Sequence, residues 1–170
     1  RLHVLSSVGP DYRHPAHRAA PWALDYLAHA LGPAQRRREQ IRLVVTRADA
    51  HGRQVRNEER LMAALAPAGF ERVCLSDMTV AEQAQAFSDA EVVIGPHGAG
   101  LANLAFCRPG TRVLELFPQT YGTTAFAMVA MSRGLDYAAL GCEAVPTRPA
   151  RPARDDLRVD IGAVQAWLDG

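Results

Sequence analysis

Two stretches of this chain carry residue types that could hold a phosphate. The first, Pro96-His97-Gly98-Ala99-Gly100-Leu101-Ala102-Asn103, places two glycines directly after an apolar run that ends at Gly95. Gly98 and Gly100 permit a tight turn and a close backbone approach. A helix starting near Ala99 would aim its free amide N–H groups at an anion. His97 at the strand tip could donate to a diphosphate oxygen, and Asn103 follows one helical turn on. Each also has a plain structural reading: glycines for packing, His97 as a loop residue, Asn103 as a cap. In the second stretch, Thr46-Arg47 ends another apolar run, and Arg53, Arg56 and Asn57-Glu58-Glu59 follow. Guanidinium forks match phosphate oxygens in bidentate geometry. If Arg47 and Arg53 both turn inward, they would neutralise charge as it develops on a diphosphate leaving group. Arg56 and Arg60 read better as parts of a solvated, charged loop.

For these groups to meet, strands must carry them to one edge of a sheet. Residues 2–8 and 41–46 are rich in aliphatic and β-branched residues and stop at Gly, Pro or charge, as buried strands do. Residues 70–75, 91–95, 112–117 and 135–140 repeat the pattern. Between them, residues 58–66 put Leu61, Ala64 and Leu65 on one helical face, and Gly69 can close that helix in the left-handed conformation. Thr79 stands three residues before Glu82, the spacing of a capping box, and Ala84 with Phe87 supplies the apolar side of the helix that follows. Residues 16–31, 125–133 and 161–168 are further amphipathic segments. Strand and helix alternate throughout, which predicts a single α/β domain over 1–170, a Rossmann-like and mostly parallel sheet with helices on both faces. In such sheets ligands sit beyond the carboxyl ends of the strands, where Arg47 and His97 fall.

Composition narrows the chemistry. The 170 residues are 48% apolar, enough for one core and too few for two ordinary domains. A net charge of +1 excludes the broad basic surface of a nucleic-acid binder or a polybasic membrane patch, so a positive site must be local. All 19 basic residues are Arg, a bias that base composition explains. Cys74, Cys107 and Cys142 are odd in number and widely spaced, which fits a reducing compartment better than a disulfide framework or a zinc site. No signal peptide or membrane span is legible. The opening residues lack a start methionine and read as the middle of a longer protein.

The ordered set Thr46-Arg47, Arg53 to Asn57-Glu58, Gly69-Phe70, Glu82-Gln83, Phe87, Ala90 to Leu101 with Gly-Pro-His-Gly-Ala-Gly at its centre, Asn103-Leu104, Phe106, Pro109-Gly110 and Val113-Leu114-Glu115-Leu116 resembles the signature of glycosyltransferase family 61. The resemblance covers roughly residues 41–137. It implies an inverting, metal-independent transfer from a nucleotide sugar, usually a uridine diphosphate sugar, to a saccharide or glycan acceptor. No cofactor is expected. It implies a GT-B-type pair of Rossmann-like domains, this chain being the carboxyl-terminal, donor-binding half and the amino-terminal half lying outside it. Arg47 and Arg53 would contact the diphosphate, with Asn57 and Glu58 ordering their loop. His97, Gly98, Ala99 and Gly100 would form the pyrophosphate-facing turn, and Glu115 would accept from ribose hydroxyls. Glu58 and His97 are the candidates for a catalytic base. Family and composition together suggest bacterial polysaccharide or lipopolysaccharide assembly, and the expected location is cytoplasmic, with association at the inner face of the membrane open. The competing class is a nucleotide-binding module without turnover, or a donor half inactive without its partner domain.

Weaker constellations remain. Asp11, His14 and His17 have near-ligand spacing, but Pro15 interrupts it and no third strong ligand is evident. Asp155, Asp156 and Asp160 read as helix caps and solvated charge. Trp22 and Tyr26 share a helical face, with core packing favoured over stacking on a base or sugar. A response-regulator-like phosphate binder would need an acidic pocket after the first strand, where Asp11 stands alone.

Overall fold

The computed structural model describes residues 21–33, 40–147 and 152–170. The expected strand at 2–8, the first part of the helix at 16–31 and the Asp11-His14-His17 group lie outside these residues. The described elements are α1 (Pro21–Leu31), β1 (Ile41–Val45), α2 (Glu58–Leu65), β2 (Phe70–Val73), α3 (Val80–Asp89), β3 (Ala90–Pro96), β4 (Arg112–Pro118), α4 (Ala125–Arg133), β5 (Asp136–Val145), β6 (Asp156–Arg158) and α5 (Ile161–Asp169). They form a six-stranded sheet in the order β2-β1-β3-β4-β5-β6. β1 to β5 pair in parallel, and β6 closes the edge antiparallel to β5.

Period-two alternation decides which side chains meet. Leu43 and Val45 of β1, Val93 of β3 and Val113 of β4 point into one apolar cluster with Ala84 and Phe87 of α3 and Ala130 of α4. Val44, Val92, Ile94, Leu114 and Leu116 point the other way, against Leu61 and Leu65 of α2 and Val164 of α5. Helices therefore cover both faces. Each fully buried aliphatic or Phe side chain contributes roughly 1.5–3 kcal/mol relative to exposure. The winding reverses between β1 and β3: the chain steps from β1 outward to β2, then back across β1 to β3. Right-handed crossovers put α2 and α3 on opposite faces for that reason.

Local signals act as expected at several ends. The Thr79 N–H donates to Glu82 Oε2 at 2.7 Å, and the Glu82 N–H returns to Thr79 Oγ1 at 3.3 Å. Gly69 adopts the left-handed conformation (φ 76°) after a 3₁₀ turn at Ala66–Ala68. Two departures matter for the site. After β3 the chain forms a 3₁₀ segment, Ala99–Phe106, and not an α-helix. β6 was not foreseen, because three residues of mixed charge carry no period. Trp22 and Tyr26 are also corrected: they are 75% and 68% exposed, and Leu24 is the residue that α1 buries.

Candidate functional site

The strand order reverses between β1 and β3, and in open α/β sheets the ligand crevice lies beyond the carboxyl ends of the strands at such a reversal. Arg47 follows β1 and His97 follows β3, and alternation turns both toward the face covered by α3 and α4. Their side chains converge there. A Cβ built on Gly98 would lie 2.0 Å from Arg47 Nη1, so the guanidinium occupies the space that the missing side chain leaves. Arg47 Nε donates to the Gly52 carbonyl at 3.3 Å.

Arg53 joins them from the loop after β1. Its φ of 57° lies in the left-handed region, a strain of about 1–2 kcal/mol for a residue with a Cβ. Its Nη1 donates to the Ala153 carbonyl at 2.9 Å, while Nε is buried with no hydrogen-bond partner. Burial is the main cause lowering both guanidinium pKa values. Arg53 lowers that of Arg47 further, and Asp49 partly offsets this. At Arg53, Tyr121 and Glu115 raise the value and Arg154 lowers it. Both side chains keep their charge at neutral pH. Among the described residues, neither forms an ion pair with a carboxylate. Two adjacent, half-buried cations that no carboxylate among the described residues contacts directly favour an anionic ligand.

His97 is held more tightly than a loop residue. Its ring stacks on Phe117 with centroids 5.0 Å apart, and Tyr121 and Phe126 stand at 5.4 and 5.3 Å. Nδ1 lies 2.5 Å from Glu115 Oε1. The Tyr137 phenol donates to Glu115 Oε2 at 2.5 Å. Burial pushes the Tyr137 hydroxyl pKa up, and the Glu115 charge adds to the effect, so Tyr137 remains a donor.

The other expected site residues have different places. Glu115 is 0% exposed with one oxygen engaged by His97 and the other by Tyr137, so a ribose hydroxyl could reach it only by displacing one of them. Glu58 accepts from Thr46 Oγ1 at 2.7 Å and pairs with Arg72, at the start of α2 on the opposite face of the sheet from His97. It braces β1 against β2 and stands apart from the crevice. Asn57 donates to the Val159 carbonyl and accepts from the Val159 N–H, both at 2.9 Å, like a strand partner. Asn103 donates to Gln83 Oε1 and to the Gly100 carbonyl, tying the 3₁₀ segment to α3. Gly100 admits the Leu75 side chain, whose Cδ1 would lie 2.7 Å from an added Cβ. No side-chain cap forms at the start of the 3₁₀ segment, where the Leu101 N–H donates back to the Gly98 carbonyl.

Asp155 and Asp156 are corrected from solvated charge, being 3% and 1% exposed. Asp156 accepts from the Gln54 N–H at 2.9 Å and pairs with Arg56, and Asp155 accepts from Thr120. Asp160 caps α5 as expected, through the Ala163 N–H. Tyr137 and Phe117 were missed, because aromatic residues inside apolar strands read as core. An open cleft of about 520 Å³ between α2 and α5, lined by Arg42, Arg112 and Leu168 among others, lies at the amino-terminal ends of the strands. Its arginines are already engaged, Arg42 by Glu91 and Arg112 by carbonyls of α5, so it lacks the free donors of the crevice.

Among the described residues, no cluster of three or more His, Cys, Asp or Glu could hold a metal, and no helix is long and apolar enough to cross a membrane. A family model described as Glycosyltransferase 61 matches residues 2–114. A beta-1,2-xylosyltransferase of Oryza sativa subsp. japonica is 41% identical over 63 residues, which are 37% of this chain and 12% of that protein. A beta-1,2-xylosyltransferase of Arabidopsis thaliana is 35% identical over 66 residues, 39% of this chain and 12% of that protein. The chain thus covers a small part of these relatives' length. Both are plant proteins and lend no support to the bacterial polysaccharide setting suggested by composition.

Proposed function

Because this chain belongs to the glycosyltransferase 61 family, we propose that the crevice between β1 and β3 binds the diphosphate of a nucleotide sugar, as the donor side of an inverting glycosyl transfer. One observation carries this reading: the Arg47 guanidinium lies against Gly98, Arg53 is near enough to lower the Arg47 pKa, and neither half-buried cation makes an ion pair with a carboxylate among the described residues. A diphosphate would supply counter-charge to both guanidinium groups. As the bond from the anomeric carbon to the diphosphate breaks, negative charge grows on the leaving oxygens, and fixed guanidinium donors there lower the barrier without reorganisation. In this scheme the arginines take the part that a metal ion plays in other transferases. Uridine diphosphate is the expected nucleotide. The names of the plant relatives favour a pentose, xylose, as the sugar. An amino-terminal Rossmann-like domain, in a GT-B-type arrangement, would supply the acceptor contacts.

The test is calorimetric binding of uridine diphosphate to the parent chain and to Arg47→Ala and Arg53→Gly. Each charged hydrogen bond is worth roughly 1.5–3 kcal/mol, so affinity should fall about 10- to 150-fold. Arg53→Gly should melt close to the parent, since relief of the left-handed strain and of the buried Nε offsets loss of the bond to the Ala153 carbonyl. Unchanged affinity in both folded variants would falsify the site.

A binding module without turnover is favoured by one observation: Glu58, an expected base, faces away from the crevice and is already bound to Thr46 and Arg72. Release of free nucleotide from a uridine diphosphate sugar in the presence of acceptor separates the two readings. Release from this chain selects the enzyme, whereas binding without release fits a module or a donor half that needs its partner domain.

A further inference from the structure

The buried end of the site contains a hydrogen-bonded chain that no sequence motif announces, running from Tyr137 of β5 through Glu115 of β4 to His97 beyond β3. We propose that Glu115 and Tyr137 are positioning residues that hold the His97 ring with Nδ1 inward, leaving Nε2 as the nitrogen offered to the diphosphate. The proposal rests on the diphosphate reading of the crevice.

Three observations support it. A wholly buried carboxylate is costly unless its oxygens are satisfied, and Glu115 has one donor for each, the Tyr137 phenol and the His97 ring. Phenylalanine at 137 would fill nearly the same space, so packing does not explain the hydroxyl. Second, Phe117, Tyr121 and Phe126 hold the ring from several sides, so rotation that exchanged the two nitrogens would disturb all three contacts. Third, Nε2 has no hydrogen-bond partner among the described residues, whereas Nδ1 is committed. The charged and titratable groups facing this chain are Arg53, which senses both Glu115 and Tyr121, and Arg47, which neighbours Arg53. A carboxylate behind one ring nitrogen sets the tautomer and orients the other, as it does behind metal-bound or catalytic histidines. Nε2 donates to a diphosphate oxygen when the ring carries both protons, and Glu115 then balances the ring's charge from the far side.

The experiment combines a double-mutant cycle with ring-nitrogen NMR on the full chain. Tyr137→Phe, His97→Ala and the double variant are titrated with uridine diphosphate, and the ring nitrogens of His97 are observed in ligand-free protein. Tyr137→Phe should weaken binding about 3- to 10-fold, one ordinary hydrogen bond, although Tyr137 does not touch the ligand. In the His97→Ala background it should cause no further loss, because its effect passes through His97. The parent spectrum should show Nδ1 protonated, with a perturbed signal in Tyr137→Phe. Should that variant fail to fold, Glu115→Gln, which keeps the shape and removes the charge, is read the same way. Equal losses in both backgrounds, or a ring proton on Nε2 alone, would overturn the proposal. If the parent binds no uridine diphosphate, the nucleotide reading fails by itself, and the NMR result still decides whether Glu115 orients the ring.

Discussion

Gly98 shows how one side chain's absence can serve another residue's function. Its backbone φ of 169° is ordinary extended geometry, so conformational freedom does not explain a glycine there. Space does, since Arg47 Nη1 fills the position of the missing Cβ. Gly98→Ala should therefore push aside the tip of a flexible side chain and leave the backbone where it is. We expect a melting temperature close to the parent's and an affinity for uridine diphosphate at least about 10-fold weaker, the loss of one charged contact. Calorimetry on the folded variant checks this, and intact binding would remove Arg47 from the ligand's surroundings. The types of Arg47, His97 and Gly98 were legible in the sequence. The burial of Glu115 was not, because a carboxylate after two aliphatic residues looks the same whether it faces solvent or another strand.

At the scale of elements, the loop that carries Arg53 depends on chain about a hundred residues away. Gln54 and Arg56 exchange backbone hydrogen bonds with Leu157, the Arg53 N–H donates to the Arg154 carbonyl, and Asn57 pairs with Val159. Asp156 closes this seam by accepting from the Gln54 N–H and pairing with Arg56. Asp156→Ala would leave a buried amide unsatisfied and a guanidinium unpaired, at a cost of about 3 kcal/mol. Urea unfolding should show that loss, and uridine diphosphate binding should weaken with it, since Arg53 would lose its anchor. Retained affinity in a destabilised variant would mean that the loop is positioned by other contacts. One side of the seam, residues 154–159, lies beyond residue 114, where the family match ends, and β6 is too short to announce itself. By contrast, the Thr79 capping box and the helix at 125–133 are local devices, and the residues alone disclosed them.

For the molecule as a whole, the buried groups set an alkaline limit. Burial pushes the thiols of Cys107 and Cys142 from an ordinary value of 9.0 up to about 12, and the Tyr137 phenol moves upward too. A group whose pKa is higher folded than unfolded contributes its full stability below the unfolded value and loses it as pH rises toward the folded one. Stability should thus decline from about pH 9 toward pH 12, seen as a falling melting temperature, and a flat profile would contradict the burial of these thiols. Alkylation of the native chain should label Cys74, which is part-exposed, and spare Cys107 and Cys142.

The residues themselves were sufficient for the α/β class, the placement of most strands and helices, and the identity of the two arginines and the histidine as phosphate-facing candidates. Periodicity, caps and strand-end position are properties of short windows, and a short window is what a sequence displays. Tertiary structure alone decided that Glu58 lies across the sheet, that Glu115 and Tyr137 stand behind His97, and that residues 152–159 brace the Arg53 loop. Those outcomes depend on strand order and register, which bring together groups 12 to 102 positions apart with no local pattern to mark them.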